Sequence, residues 1–194
     1  FKRDVLSFDE VLTQKMHSAP DFSQGPVQHT GNPFDLALDG QGFFKVQTPK
    51  GLRYTRDGAL GLDKENTLVN RRGDAILGDN GPIRIEGTEV SVGKDGQIQV
   101  DGVSVDRIIV VDFEDPRLLL KEGANYYVNP GRAEEVPRPE RTSLHQGYLE
   151  ESNVDLTEEM IRMVEAFRAF EAMQKGIQSI DEMTGKLIND PGLF

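Results

Sequence analysis

The 194-residue chain has no cysteine and no tryptophan. Without cysteine there is no disulfide, no thiolate zinc site and no cysteine nucleophile. Bases are scarce too: 22 Lys and Arg face 33 Asp and Glu, for a formal net charge of −11. That balance argues against nucleic acid as a partner, because affinity for phosphate comes from Lys and Arg. It also argues against adhesion to an anionic membrane, and it suits a chain kept soluble before it assembles. No apolar run is long enough to span a bilayer, so membrane insertion is not expected. The first residues lack a signal-peptide pattern.

What is present is dominated by the last stretch of the chain. Met160, Met163, Phe167 and Phe170 recur at spacings of three and four. After one short step the stripe resumes at Met173, Ile177, Ile180 and Leu187, with Thr184 in the remaining slot. This is the seam of a coiled-coil-type amphipathic helix with one overwound step. Glu158 with Arg162, Glu171 with Lys175 and Glu182 with Lys186 place acids four residues before bases on the other face, a weakly stabilising arrangement. Asp155 or Thr157 serves as cap, and Asn189 to Gly192 is the stop. A plain intramolecular core face is the bland reading of the stripe. At about 30 residues the helix is roughly 45 Å long, so part of its seam is expected to remain for another helix, placed just upstream of Phe1.

Before that helix the pattern has a period of two. Short alternating apolar runs from Phe34 onward are separated by turn signals, among them Asp39-Gly40, Asp57-Gly58, Asp95-Gly96 and Asp101-Gly102. Asp-Gly between such runs is a hairpin signal, because a type I′ turn needs positive φ at both central residues. The fold class is therefore mainly β: an inserted antiparallel domain of many short strands plus a long C-terminal amphipathic helix. The expected organisation is an N-terminal segment and extended linker over 1–30, an all-β core over 31–133, a connector over 134–152 and the coiled-coil-type helix over 153–194. Ile108 to Val111 is expected to be the most buried strand. Residues 115–130 read as irregular, with Leu118, Leu119 and Leu120 packing onto the sheet.

Residues able to carry chemistry are few. His17, His29 and His145 are far apart and offer no metal-ligand spacing. Ser143 and His145 lack nucleophile-elbow glycines. Asp63 to Asn66 reads as a hairpin turn rather than a calcium loop. Gly40-Gln41-Gly42 precedes a strand rather than a helix, so it is not a dinucleotide cradle. The acids Glu150, Glu151, Asp155, Glu158 and Glu159 fit the positive end of a helix dipole better than a catalytic pair. No catalytic residue, cofactor or metal is expected.

Four separated motifs carry a resemblance. Thr30 to Phe44 (TGNPFDLALDGQGFF) resembles the segment that opens the core domain of bacterial flagellar rod and hook proteins. Tyr54 to Gly58 (YTRDG) is similar to that family's next signature, and Gln146 to Val154 (QGYLEESNV) to the one before its C-terminal helix. Glu159-Met160, Arg168 to Glu171 and Lys175 continue the likeness, and Phe1-Lys2 resembles the end of the family's N-terminal motif. The resemblance implies a non-enzymatic structural subunit that polymerises helically into the shaft carrying torque from motor to hook. Within the family the length points to a rod protein, the proximal one. A distal rod or hook-type subunit is the alternative, and a secreted β-rich binding module is the alternative from another class. Implied partners are copies of itself, other rod and hook subunits and the flagellar type III export apparatus. Implied localisation is the basal-body rod crossing the periplasm, reached without a cleaved signal. Met160, Met163, Phe167, Phe170, Met173, Ile177, Ile180 and Leu187 are the expected assembly interface.

Overall fold

The computed structural model describes residues 21–123, 125–137 and 142–189, with the side chains of 181–182 and 186–189 outside that description. Expectations for Phe1-Lys2, His17 and the side chain of Leu187 therefore lie outside the described residues. The chain divides into two compact units, Phe1–Glu151 and Ser152–Phe194.

The first unit is built from short strands: β1 (Val27–His29), β2 (Leu36–Asp39), β3 (Phe43–Thr48), β4 (Gly51–Thr55), β5 (Leu60–Leu62), β6 (Leu68–Asn70), β7 (Ala75–Gly78), β8 (Gly81–Pro82) and β9 (Val90–Val92). They continue with β10 (Gln97–Val100), β11 (Val103–Arg107), β12 (Val110–Phe113), β13 (Leu120–Glu122), β14 (Tyr126–Val128), β15 (Glu135–Pro137), β16 (Ser143–Gln146) and β17 (Tyr148–Glu150). Every described pairing between them is antiparallel. The largest sheet runs β13-β14-β4-β3-β7-β6-β5, with β12 joining β3 and β15 joining β12. β9, β10 and β11 form a second sheet, while β2 pairs with β16 and β1 with β17.

β3 explains why the described residues form two apolar clusters. Successive side chains of a strand point to opposite faces, so Phe44 and Val46 enter a cluster with Leu36, Leu38, Ile76 and Ile83. Phe43 faces the other way, into a cluster with Tyr54, Val111 and Phe113. Its ring meets Phe22 edge-on at 5.6 Å. Among the described residues no buried side-chain nitrogen or oxygen lacks a partner.

The mainly β fold with one long terminal helix is as expected from the sequence, but several local expectations change. Residues 27–29, expected within an extended linker, form β1, because their backbone pairs with β17. Within 115–130, expected to be irregular, a 3-10 turn over Pro116–Leu118 is followed by the β13–β14 hairpin. Only Leu119 of the three leucines is buried; Leu118 and Leu120 are exposed. Glu135–Pro137 is a strand rather than a plain connector. Ile109 is only half-buried, so Ile108 to Val111 is less buried than β2, where Leu36, Ala37 and Leu38 are all enclosed.

The Asp-Gly signals also sort. Asp101 (φ 51°) and Gly102 (φ 80°) turn β10 into β11 with both angles positive, as type I′ requires. Asp57-Gly58 does something else. A Cβ on Gly58 would lie 1.7 Å from the Leu36 carbonyl oxygen, so glycine is needed there for the close approach of β2, whose Leu36 amide donates to the Gly58 carbonyl at 2.9 Å.

Candidate assembly surface

The second unit contains α1 (Leu156–Asn189). Asp155 is its cap: its carboxylate accepts from the amides of Thr157 (2.8 Å) and Glu158 (3.3 Å), which the first turn leaves without helical partners. Arg162 reaches back to Glu158 at 2.6 Å and Glu159 at 3.1 Å. Glu171 and Lys175, the next expected pair, form no ion pair among the described residues. At 34 residues the helix is about 51 Å long.

Its apolar side chains are on the surface. Met160, Met163, Phe167, Phe170, Met173, Ile177 and Ile180 are between 59% and 69% exposed. Ile161, Val164 and Met183 are exposed as well, and the spacing rule had not picked them out. Every described residue over 156–180 is exposed, and apolar side chains exposed together on one helix make it a candidate interaction surface.

Within the first unit, the segment before β2 and the last strand are tied together. Val27 pairs with Glu150 and His29 with Tyr148. The Glu151 amide donates to the Pro26 carbonyl, and the Thr30 amide to the Gly147 carbonyl, both at 2.8 Å. Arg56, from β4's end, secures this junction. Its Nε and Nη2 lie 2.9 and 2.8 Å from a Glu150 carboxylate oxygen, and its remaining donors reach the Gly42 and Gly40 carbonyls at 3.0 and 3.1 Å. The other Glu150 oxygen accepts from the Gly25 amide at 3.0 Å. Three of the four motifs read from the sequence thus meet at one point. The clasp itself had no sequence signal, since its partners are 94 residues apart.

The residues weighed for chemistry find other employment. Gly40 and Gly42 present carbonyls to Arg56, the wrong polarity for a phosphate cradle. Ser143 Oγ and Asp39 Oδ2 both approach His145 Nε2, at 3.3 and 3.5 Å; a catalytic relay needs them on opposite ring nitrogens. His29 stacks edge-on against Tyr148 at 4.8 Å. Asp63 accepts from the Glu65 and Thr67 amides at 2.8 Å, closing a turn with Asn66 at φ 57°.

Two family descriptions match this chain. "Flagellar hook protein FlgE/F/G D1 domain" matches residues 37–100, and "Flagellar basal body rod FlgEFG protein C-terminal" matches residues 145–190. Among whole proteins, the flagellar basal-body rod protein FlgF of Caulobacter vibrioides is 38% identical over 178 residues, covering 90% of this chain and 72% of the relative. The flagellar basal-body rod protein FlgG of Bacillus subtilis is 36% identical over 181 residues, covering 86% and 69%. The chain belongs to the flagellar basal-body rod protein family. The flagellar hook-basal body complex protein FlhO of Bacillus subtilis is also similar, at 31% over 190 residues, covering 89% of this rod-family chain and 70% of the relative. The first matched stretch contains Arg56, and the second contains Glu150 and α1.

Proposed function

We propose that this chain is a structural subunit of the bacterial flagellar basal-body rod, the proximal rod protein, and that α1 is its assembly element. Met160, Met163, Phe167, Phe170, Met173, Ile177, Ile180 and Leu187 form the face that packs on a partner helix. The carrying observation is the exposure of the first seven of these on one helix. Each such side chain contributes about 1.5–3 kcal/mol when buried, so a seam of this length holds subunits together once a second helix covers it. The contacts are heterologous and repeat along an open helical polymer with copies of itself and other rod and hook subunits. The subunit reaches the periplasm through the flagellar type III export apparatus without a cleaved signal, does not insert in the membrane, and transmits torque rather than catalysing a reaction. No described helix is long and apolar enough to span a membrane.

The test is Phe167→Asp in the intact subunit. Motility is expected to be lost while the β unit keeps its thermal melt. Swimming cells with Phe167→Asp rods would show that the seam is elsewhere. Immunogold labelling along isolated rods checks the proximal position.

A further inference from the structure

Three hairpin turns build a cleft that the helix seam does not use. The β3–β4 turn at Lys50, the β6–β7 turn at Arg72 and the β13–β14 turn at Gly123 line a cavity of about 380 Å³, at the small end of the range for binding pockets. Arg72 is held in place there. The Asn70 side-chain carbonyl accepts from the amides of Arg72 (2.9 Å) and Asp74 (3.1 Å). The Asn70 amide group donates to the Tyr126 hydroxyl, which donates in turn to Asp74. On this buried base the Arg72 guanidinium lies over the Tyr126 ring, 5.0 Å from its centroid, a cation–π placement that fixes the fork without using its N–H donors.

The cleft's own carboxylates have partners other than Arg72. Glu122 accepts from Arg53, with Lys50 Nζ 3.5 Å away, and Asp74 accepts from Tyr126. Among the described residues, no carboxylate forms an ion pair with Arg72. Lys50, 78% exposed, stands at the rim. Three cations against two carboxylates make this a basic spot on a chain of net charge −11.

We propose that this cleft receives an Asp or Glu carboxylate from a second copy of this chain, bound by the Arg72 fork with Lys50 beside it, as one half of a subunit–subunit contact. The inference rests on the reading of the chain as a rod subunit. An open polymer needs two different, complementary patches on each subunit. The acid excess of the chain supplies carboxylates for one, and the cleft supplies the preorganised cation for the other. An arginine fork is suited to bidentate carboxylate recognition.

The experiment is carbodiimide coupling, which joins neighbouring amines and carboxylates directly, on rods assembled from mixed isotope-labelled and unlabelled subunits. An intramolecular Lys50–Glu122 link is the internal control. An intermolecular link from Lys50 to an Asp or Glu of a differently labelled copy is expected. Arg72→Glu, with an unchanged melt of the β unit, is expected to abolish that link and lower the assembled fraction roughly tenfold or more; Arg72→Lys, keeping charge but not the fork, should fall between. If wild-type rods form and Lys50 couples only to its own Glu122, the cleft is no contact and the rod reading stands. Coupling to a different rod component overturns the assignment to a second copy. If the wild-type chain enters no rod, the rod reading fails and takes this inference with it.

Discussion

Arg56 and Glu150 are 16% and 9% exposed at their side chains, so each would be left charged and partly desolvated without the other. Removing one partner of a buried pair costs about 3–5 kcal/mol. Arg56→Ala is therefore expected to lower the stability of the β unit by about 3 kcal/mol in denaturant titration, since the Gly40 and Gly42 carbonyls also lose their donor. Glu150→Gln keeps an acceptor for the Gly25 amide but sets its NH2 against the Arg56 donors and leaves that cation unpaired, so it too should cost about 3 kcal/mol. A double-mutant cycle with coupling below about 0.5 kcal/mol would mean that the pair is no clasp. Tyrosines give a second residue-level prediction. Burial first, and then the hydrogen bond to Glu135, pushes the Tyr54 phenol up to about 12. Burial, then Asp74, does the same for Tyr126. A raised phenol pKa means that the fold favours the neutral form. The associated stability is fully present below about 10, the unfolded value, and is lost as pH rises to about 12. Thermal melts should thus decline over that window, and tyrosinate absorbance of the folded protein should lag behind that of the unfolded chain. Absorbance rising in step for both would remove the claim.

At the level of elements, Gly58 and Asp155 are each required by one geometry. Gly58→Ala drives a methyl into the Leu36 carbonyl, a backbone atom in the buried part of β2. Overpacking against backbone costs about 3 kcal/mol, seen as a lower midpoint for the β unit with α1 helicity unchanged. Asp155→Ala removes the cap and should cost about 1 kcal/mol of helix stability, seen as lost helical dichroism with the β unit unaffected. These elements differ in how legible they were. Short alternating runs between Asp-Gly turns marked the β domain from Phe34 onward, and the three-and-four spacing marked α1. Strands of three residues hold too few side chains for a period to register, so β1, β13, β14 and β15 were hidden among prolines and charges. Their existence depends on a partner strand distant in sequence, as Val27 depends on Glu150. The same limit hid the clasp and the Arg72 cleft, both assembled from residues that local patterns do not connect. The apolar stripe of α1, by contrast, lies on one continuous segment, so its three-and-four spacing can be read from the sequence alone; what covers it is the proposal above.

Across the whole molecule the two units differ in what stabilises them. The first has two apolar clusters and no described buried polar group without a partner, so its core amides should open only with global unfolding. The second is one helix whose apolar side chains are mostly exposed. An isolated helix gains little beyond its own hydrogen bonds, its cap and the Arg162 pairs, and helical stability in proteins comes chiefly from packing an apolar face. Amide exchange of the unassembled chain should therefore split in two. The amides of β2, β3 and β7 should exchange slowly, and those of Leu156–Asn189 orders of magnitude faster, because opening the helix uncovers no core. On assembly the order of the helix should change, since burial of even three seam side chains at about 1.5–3 kcal/mol each lowers the open population by more than a thousandfold. Protection should rise along Met160 to Ile180 while the β core, already closed, changes little. A helix equally protected before and after assembly would mean that its apolar face is not what assembly covers, and the seam would have to be given up even if the chain were still found in rods.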